Sequence, residues 1–225
     1  MKINSQSAIV LLSGGQDSTT ALFWACRQFE HVEAITIDYG QRHHREIDCA
    51  TRIASMTGTP HKLISLDVLR QLTENAMMAN SPIELNRESQ LPTTFVPGRN
   101  ILFVTLAASY AYERRVPNIV IGVSQVDYSG YPDCREETLK SLEKTITLGM
   151  AFPFILHAPL LHKSKQETVQ LAKEWGALAY MAYTHTCYKG EHPPCGQCPA
   201  CQLRAKGFES AGMLDPLLSS GRVVV

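Results

Sequence analysis

The stretch Ser7-Ala8-Ile9-Val10-Leu11-Leu12-Ser13-Gly14-Gly15-Gln16-Asp17-Ser18-Thr19-Thr20 decides the architecture. Its first part, Ser7–Leu12, is an aliphatic run of strand length, and from Asp17 onward Ala21, Leu22, Ala25 and Phe29 recur at helical spacing. A near-continuous apolar strand feeding directly into a helix belongs to a parallel sheet covered on both faces. The rhythm continues along the chain. Strands are predicted at Ala34–Asp38, His61–Leu66 and Asn118–Val123, and helices at His44–Met56, Asn100–Arg114, Asp133–Leu148 and Lys163–Trp175, the last stopped by Gly176. The expected fold class is therefore α/β, an open parallel sheet with helices on both faces.

The turn inside that stretch carries chemistry. A strand ending in S-G-G-x-D-S and opening a helix is built to hold phosphate. Gly14 and Gly15 let backbone N–H groups close on an anion, and the helix N-terminus adds partial positive charge. Ser13, Ser18 and Thr19 offer hydroxyls. Asp17 repels phosphate, so its roles reduce to helix N-terminal charge or a Mg²⁺ ligand. Neither G-x-x-x-x-G-K-[ST] nor G-x-G-x-x-G is present. The bland alternative is a Gly-Gly turn with Ser and Asp as caps.

Ligands of open α/β sheets bind outside the carboxyl ends of the strands. The second strand runs into Asp38-Tyr39-Gly40-Gln41-Arg42-His43. The fourth runs into Ser124-Gln125-Val126-Asp127-Tyr128-Ser129-Gly130-Tyr131-Pro132-Asp133-Cys134-Arg135. Both are rich in Gly, hydroxyls, carboxylates and Arg. The long polar passage Ala79–Arg99, with Pro82, Pro92, Pro97 and Gly98, reads as a lid or binding loop.

Composition narrows the field. The 225 residues carry 21 Lys+Arg against 21 Asp+Glu, a net charge of zero, with 44% hydrophobic residues. That balance excludes disorder and lacks the basic excess of a nucleic-acid binder, so no nucleic-acid partner is expected. The longest mostly apolar stretch, Ile101 to Tyr112, falls short of the roughly 20 residues that span a bilayer, and Ala8–Leu12 is too short for a signal peptide. A soluble, cytoplasmic protein without a membrane partner is expected. The length fits one domain plus an appendage, divided here as 1–183 and 184–225.

Seven cysteines are present; Cys26, Cys49 and Cys134 are scattered, whereas Cys187, Cys195, Cys198 and Cys201 crowd together near the C-terminus. Four thiolates with C-x-x-C-x-x-C spacing suit tetrahedral Zn²⁺, and a closed Cys₄ shell makes that zinc structural. His185 and His192 are more simply bystanders, and Cys26 and Cys49 lie in predicted helices with no evident base beside them.

The segment Leu12-Ser13-Gly14-Gly15-Gln16-Asp17-Ser18 resembles the PP-loop of the ATP pyrophosphatase superfamily, whose members transfer AMP to a carbonyl-type oxygen and release pyrophosphate. Pro159-Leu160 followed by Lys165-x-Glu167-Thr168 is similar to the segment where that superfamily carries a phosphate-contacting Lys; the alternative for Lys165 is a solvated helix residue. Thr94-Phe95-Val96-Pro97-Gly98-Arg99-Asn100, the two strand-end loops and Cys187-x7-Cys195-Gly196-x-Cys198-x-x-Cys201 extend the likeness. In order, from about residue 8 to 207, these motifs resemble the 7-cyano-7-deazaguanine synthase family of the queuosine precursor pathway.

That resemblance implies an adenine-nucleotide alpha-hydrolase-like fold and a C–N bond-forming ligase. It implies conversion of 7-carboxy-7-deazaguanine, ammonia and ATP to the nitrile through an adenylated acid and an amide, with Mg²⁺ and structural Zn²⁺, in a homodimer. Leu12, Ser13, Gly14, Gly15, Gln16, Asp17, Ser18, Thr19 and Thr20 would hold the nucleotide, and Asp17, Lys165, Arg99, Asp133 and Arg135 form the catalytic set. Asp133 or Asp127 could accept the N–H pair of a guanine-like edge. Arg99, Arg42 or Arg135 could clamp carboxylate or phosphate, and Tyr39, Tyr128 or Tyr131 could stack on the base. The competing readings are another PP-loop ATPase (a tRNA-thiolating enzyme, NAD synthetase or another amide ligase) and a non-enzymatic zinc-bearing interaction module.

Overall fold

A computed structural model describes residues 3–41, 44–66, 69, 76–77, 91–126 and 131–219. Five strands, β1 (Ser7–Leu11), β2 (His31–Asp38), β3 (His61–Ser65), β4 (Asn118–Ile121) and β5 (Ile155–His157), form one sheet in the order β3-β2-β1-β4-β5. Every pairing is parallel, with Val10 opposite Ala34 on one side and Val120 on the other. The helices are α1 (Gln16–Gln28), α2 (Arg45–Thr57), α3 (Arg99–Glu113), α4 (Glu136–Gly149), α5 (Lys165–Trp175), α6 (Pro199–Ser210) and α7 (Pro216–Ser219).

All five residues of β1 are buried, because the sheet is covered on both faces. Successive side chains alternate between the two layers. Ala8, Val10 and Leu12 pack with Ala21, Leu22 and Ala25 of α1 and Ile53 of α2. Ile9 and Leu11 face Val104, Ala107 and Ala111 of α3 and Ile146 of α4. Near the sheet's amino end, the buried amide of Asn118 donates to the carbonyls of Ser5 and Ser7, both at 3.0 Å, tying β4 to β1.

The expected strands and helices are present, with shifts that have local causes. The helix expected from Asp133 begins as a 3₁₀ turn, Pro132–Cys134, and restarts at Glu136 because Arg135 is extended. The helix expected from Lys163 begins at Lys165. Ser164 is its N-cap, and Ser164 and Glu167 form a reciprocal capping box. Strand β5 escaped the sequence pattern because it is three residues long and not buried. The 3₁₀ segment Leu178–Tyr183 and helix α6 also went unread, since the Pro- and Cys-rich composition there masks a helical period. Among the described residues, no helix is long and apolar enough to cross a membrane.

Candidate functional site

The strand order reverses between β1 and β4, so the crevice of the sheet opens where those two strands end. A cavity of about 410 Å³ lies there, with Ser13, Gly15 and Ser18 at one side, Arg99 and Tyr131 at another, and Tyr188, Ala200 and Leu203 closing a third. The C-terminal segment is therefore a wall of the cavity.

The β1–α1 turn is held open by its own hydroxyls. Ser18 Oγ accepts the Ser13 N–H at 3.1 Å and lies 2.9 Å from Ser13 Oγ, while Thr19 Oγ1 donates to the Gly15 carbonyl at 2.8 Å. Gly14 has φ +84°, and a Cβ there would stand 2.1 Å from the Glu46 carbonyl oxygen. Only glycine fits, and its absence of a side chain lets the turn press against the first turn of α2. The Gly14 carbonyl accepts the His185 N–H at 2.9 Å, joining the turn to the C-terminal segment. From the first turn of α1, Asp17 Oδ2 meets Lys165 Nζ in an ion pair. Among the described residues, Asp17 Oδ1 and both amide atoms of the buried Gln16 have no hydrogen-bond partner. An orphaned carboxylate oxygen beside an anion cradle is the donor a Mg²⁺ on a bound phosphate would satisfy, so the residues fit that group.

The opposite wall is aromatic and cationic. Arg99 Nη1 donates to Tyr39 Oη at 3.3 Å, Thr94 Oγ1 lies 2.6 Å from Tyr131 Oη, and the Phe95 and Tyr131 rings stand 5.4 Å apart. Burial pushes the Tyr39 phenol above its ordinary range. Asp133 is buried, and its Oδ2 accepts the backbone N–H of Asn100 at 3.0 Å, so it caps the start of α3. Asn100 Nδ2 donates to Cys134 Sγ at 3.3 Å. The sequence-predicted Lys165, Arg99 and Asp17 thus come together around the cavity with Ser13 and Ser18, and Asp133 stands behind Asn100, off the cavity surface. Arg135 is exposed at the N-cap of α4, away from the cavity wall. Arg42, His43, Asp127, Tyr128, Ser129, Gly130 and the 79–90 part of the long polar passage lie outside the described residues.

One residue of the wall was not singled out from sequence. Glu46, in the first turn of α2, lines the cavity, and burial pushes its carboxyl up to about 7 against the opposing pull of Arg99. The signal was its place just past the Asp38–His43 motif, at the start of the following helix. Nearby Cys49 is pushed up to about 11, chiefly by burial, which keeps it a neutral thiol.

The Sγ atoms of Cys187, Cys195, Cys198 and Cys201 all lie within 4.8 Å of one another, with Cys195 and Cys201 at 3.9 Å. Four thiolates about 2.3 Å from one Zn²⁺ would stand roughly 3.8 Å apart, so the donor set fits that ion. Cys195 Sγ accepts the N–H groups of Gln197 (3.4 Å) and Cys198 (3.3 Å), as a thiolate ligand requires. A hydrogen bond from Cys201 draws Cys198 down to about 4, while Cys201 itself is pushed up. His185 stands outside the four, its Nε2 3.2 Å from the Cys187 carbonyl.

The segment is braced internally by a buried ion pair, and the same arginine reaches back to the preceding 3₁₀ segment through the Met181 carbonyl. Arg204 on α6 donates from Nε and Nη2 to both oxygens of Asp215 (2.7 and 2.8 Å), and also to Thr184, Thr186 and the Met181 carbonyl. Further along α6, Gly207 packs directly on Lys165; a Cβ there would stand 2.9 Å from Lys165 Cβ. The C-terminal helix thereby sets the position of the cation that reaches Asp17.

A solved 4-thiouridine synthetase–RNA complex with bound ATP has the same fold, with a TM-score of 0.51 and 19% identity, covering 92% of this chain and 50% of that one. A parallel sheet with S-G-G-Q-D-S at its switch point, in this fold, defines the class: a PP-loop ATPase-like α/β protein. Within that class the family is specific. Residues 7–212 match the family model described as Queuosine biosynthesis protein QueC, and the chain belongs to that family. It is 53% identical over 220 residues to the 7-cyano-7-deazaguanine synthase of Chromobacterium violaceum, covering 96% of this chain and 94% of that protein. It is 52% identical to the enzyme of the same name from Laribacter hongkongensis (95% of each chain) and 46% identical to that of Bacillus subtilis (92% and 95%).

Proposed function

We propose that this protein converts 7-carboxy-7-deazaguanine and ammonia to 7-cyano-7-deazaguanine at the expense of ATP, in queuosine biosynthesis. The observation that carries the reading is the juxtaposition, in one cavity, of a phosphate cradle at the β1–α1 turn and a wall of Tyr39, Arg99 and Tyr131 suited to a flat, anionic heterocycle. Membership of the family and the names of its relatives supply the particular substrate.

The chemistry follows from the groups present. A carboxylate resists ammonia because its charge repels nucleophiles and oxide is a poor leaving group. Ser13, Gly15 and Ser18 would hold the nucleotide phosphates while a substrate carboxylate oxygen attacks the α-phosphorus and pyrophosphate leaves. Lys165, held by Asp17, would steady the charge on the departing phosphates. When bound through Asp17, Mg²⁺ would neutralise further phosphate charge. Ammonia then displaces AMP to give the amide. Attack by the amide oxygen on a second ATP repeats the activation at the same cradle, and loss of the second AMP leaves the nitrile. Each carboxylate oxygen departs with one AMP, so no water is formed. Arg99 would orient the substrate carboxylate through its planar fork, while Asp133 positions α3, the helix that carries Arg99. The four cysteines would hold Zn²⁺ as a brace for the 184–219 wall, with no open position for catalysis.

The nucleotide products test this reading. AMP and pyrophosphate should accumulate only when the acid and ATP are both present, with turnover requiring ammonium. Release of ADP and phosphate, or AMP formation that ignores the acid, would overturn it.

A further inference from the structure

Both C–N bond-forming steps of the proposed reaction release protons into the cavity. When ammonia adds to the acyl adenylate, the new N⁺ must lose a proton as the C–O bond to AMP breaks and AMP takes its electron pair. When the adenylated amide, RC(=NH₂⁺)–O–AMP, collapses, nitrogen gives up two protons. Its electrons form the third C–N bond, and AMP again leaves with the C–O pair. Phosphate-holding residues cannot take these protons, because they are donors.

Among the described residues lining the cavity, two are carboxylates, Asp17 and Glu46. Asp17 is committed to Lys165. Glu46 makes no hydrogen bond or ion pair to any described residue, although it is half-buried and Arg99 faces it. Arg99 is instead bonded to Tyr39. A carboxylate withdrawn from water without a close partner is costly to keep charged, and such groups concentrate where protons are moved. The other titratable groups facing it are Tyr39, Tyr188 and, on its own helix, Cys49, and His185 lines the same cavity with its Nε2 3.2 Å from the Cys187 carbonyl. Burial raises the two phenols and the thiol, so near neutral pH they are uncharged, whereas Glu46 changes state. The contact of the Glu46 carbonyl with Gly14 fixes its helix turn against the loop that would carry the leaving AMP.

We infer that Glu46 is the general base of this site, accepting the protons that nitrogen loses in amide and nitrile formation. The inference rests on the proposed function above. It is tested in the zinc-loaded full-length protein with Glu46→Gln, which keeps shape and removes ionisation, and with Glu46→Asp. The substrates are the free amide plus ATP for nitrile formation, and the acid plus ATP without ammonium for pyrophosphate release.

The unmutated protein should show a nitrile rate that rises through a limb near pH 7. Glu46→Gln should lose that limb and slow nitrile formation by about 10²-fold or more. Its pyrophosphate release should fall far less, by about 3-fold or under, and Glu46→Asp should recover part of the nitrile rate. A Glu46→Gln nitrile rate within about 3-fold of the unmutated one, or pyrophosphate release falling by the same factor as the nitrile rate, would overturn the assignment. If the unmutated protein makes neither amide nor nitrile, the parent reading fails, and the role of Glu46 with it.

Discussion

Replacing Asp215 by Asn should loosen the internal packing of the C-terminal wall, where Asp215 pairs with Arg204. Arg204 and Asp215 are each about 5% exposed at the side chain, and their two hydrogen bonds of 2.7 and 2.8 Å are a bidentate, charge-assisted pair. The amide of Asn can accept one of them at most, leaving a buried guanidinium without its counter-charge. Breaking one side of such a pair costs about 3–5 kcal/mol. Thr184, Thr186 and the Met181 carbonyl still accept from Arg204, which places the expected loss at the lower end, about 3 kcal/mol. For 225 residues the unfolding entropy near 60 °C is about 0.5 kcal/mol per kelvin, so the midpoint should fall by about 6 °C. Zinc-loaded protein in a denaturant titration and a calorimetric scan gives both numbers. Arg204→Met combined with Asp215→Leu should restore most of the stability, because a packed apolar pair replaces the ions without an orphaned charge. A loss under about 1 kcal/mol for Asp215→Asn, or a double variant worse than the single one, would refute the view that this pair braces the wall internally.

Other consequences follow from the same geometry. Gly14→Ala should unfold the β1–α1 turn locally or cost about 3 kcal/mol or more, since φ +84° and a Cβ 2.1 Å from the Glu46 carbonyl permit no relaxed alternative; isothermal titration with ATP should show binding lost. Cys198→Ser should leave three thiolates and lower zinc occupancy after dialysis against a mild chelator, read by metal analysis, together with a lower unfolding midpoint. Glu46 has its folded-state pKa at about 7 against an ordinary 4.5, so its neutral form is favoured by folding. Its stabilising contribution is full below about 4.5 and is lost as pH rises through 7. Glu46→Gln should therefore be more stable than the unmutated protein by about 2 kcal/mol at pH 8, discounted for the partial access of the cavity to water, and no different near pH 4.5, as chemical denaturation at the two pH values would show.

Much of this architecture was written in local patterns. The aliphatic run Ser7–Leu12 is readable because a strand buried on both faces has no polar alternation to confuse, and S-G-G-Q-D-S is readable because an anion cradle needs Gly and hydroxyls in adjacent positions. The zinc set is equally local, since three of its four cysteines fall within seven residues of one another. What sequence could not show depends on contacts between distant residues. Asp133 looked like a substrate contact by its place in a strand-end loop, yet its carboxylate is used on the N–H of Asn100, 33 residues away in sequence. Glu46 looked like an ordinary acidic residue in the first turn of a helix, and only the packing of α2 against Gly14 and the proximity of Arg99 give it a distinct environment. The C-terminal segment read as an appendage because Cys, Pro and Gly dominate it. Tyr188, Leu203 and Arg204 line the cavity and Gly207 packs on Lys165, contacts that no periodicity encodes.

The central claim is that one cradle activates two oxygens of the same carbon. Supplying the zinc-loaded protein with ATP, Mg²⁺, ammonium and 7-carboxy-7-deazaguanine, and following the heterocycle by mass spectrometry over time, tests it most directly. The expected result is the amide rising first and then falling as the nitrile replaces it, with two AMP formed for each nitrile. Conversion that stops at the amide, nitrile formed with one AMP, or an unchanged acid in the presence of ATP would contradict the account.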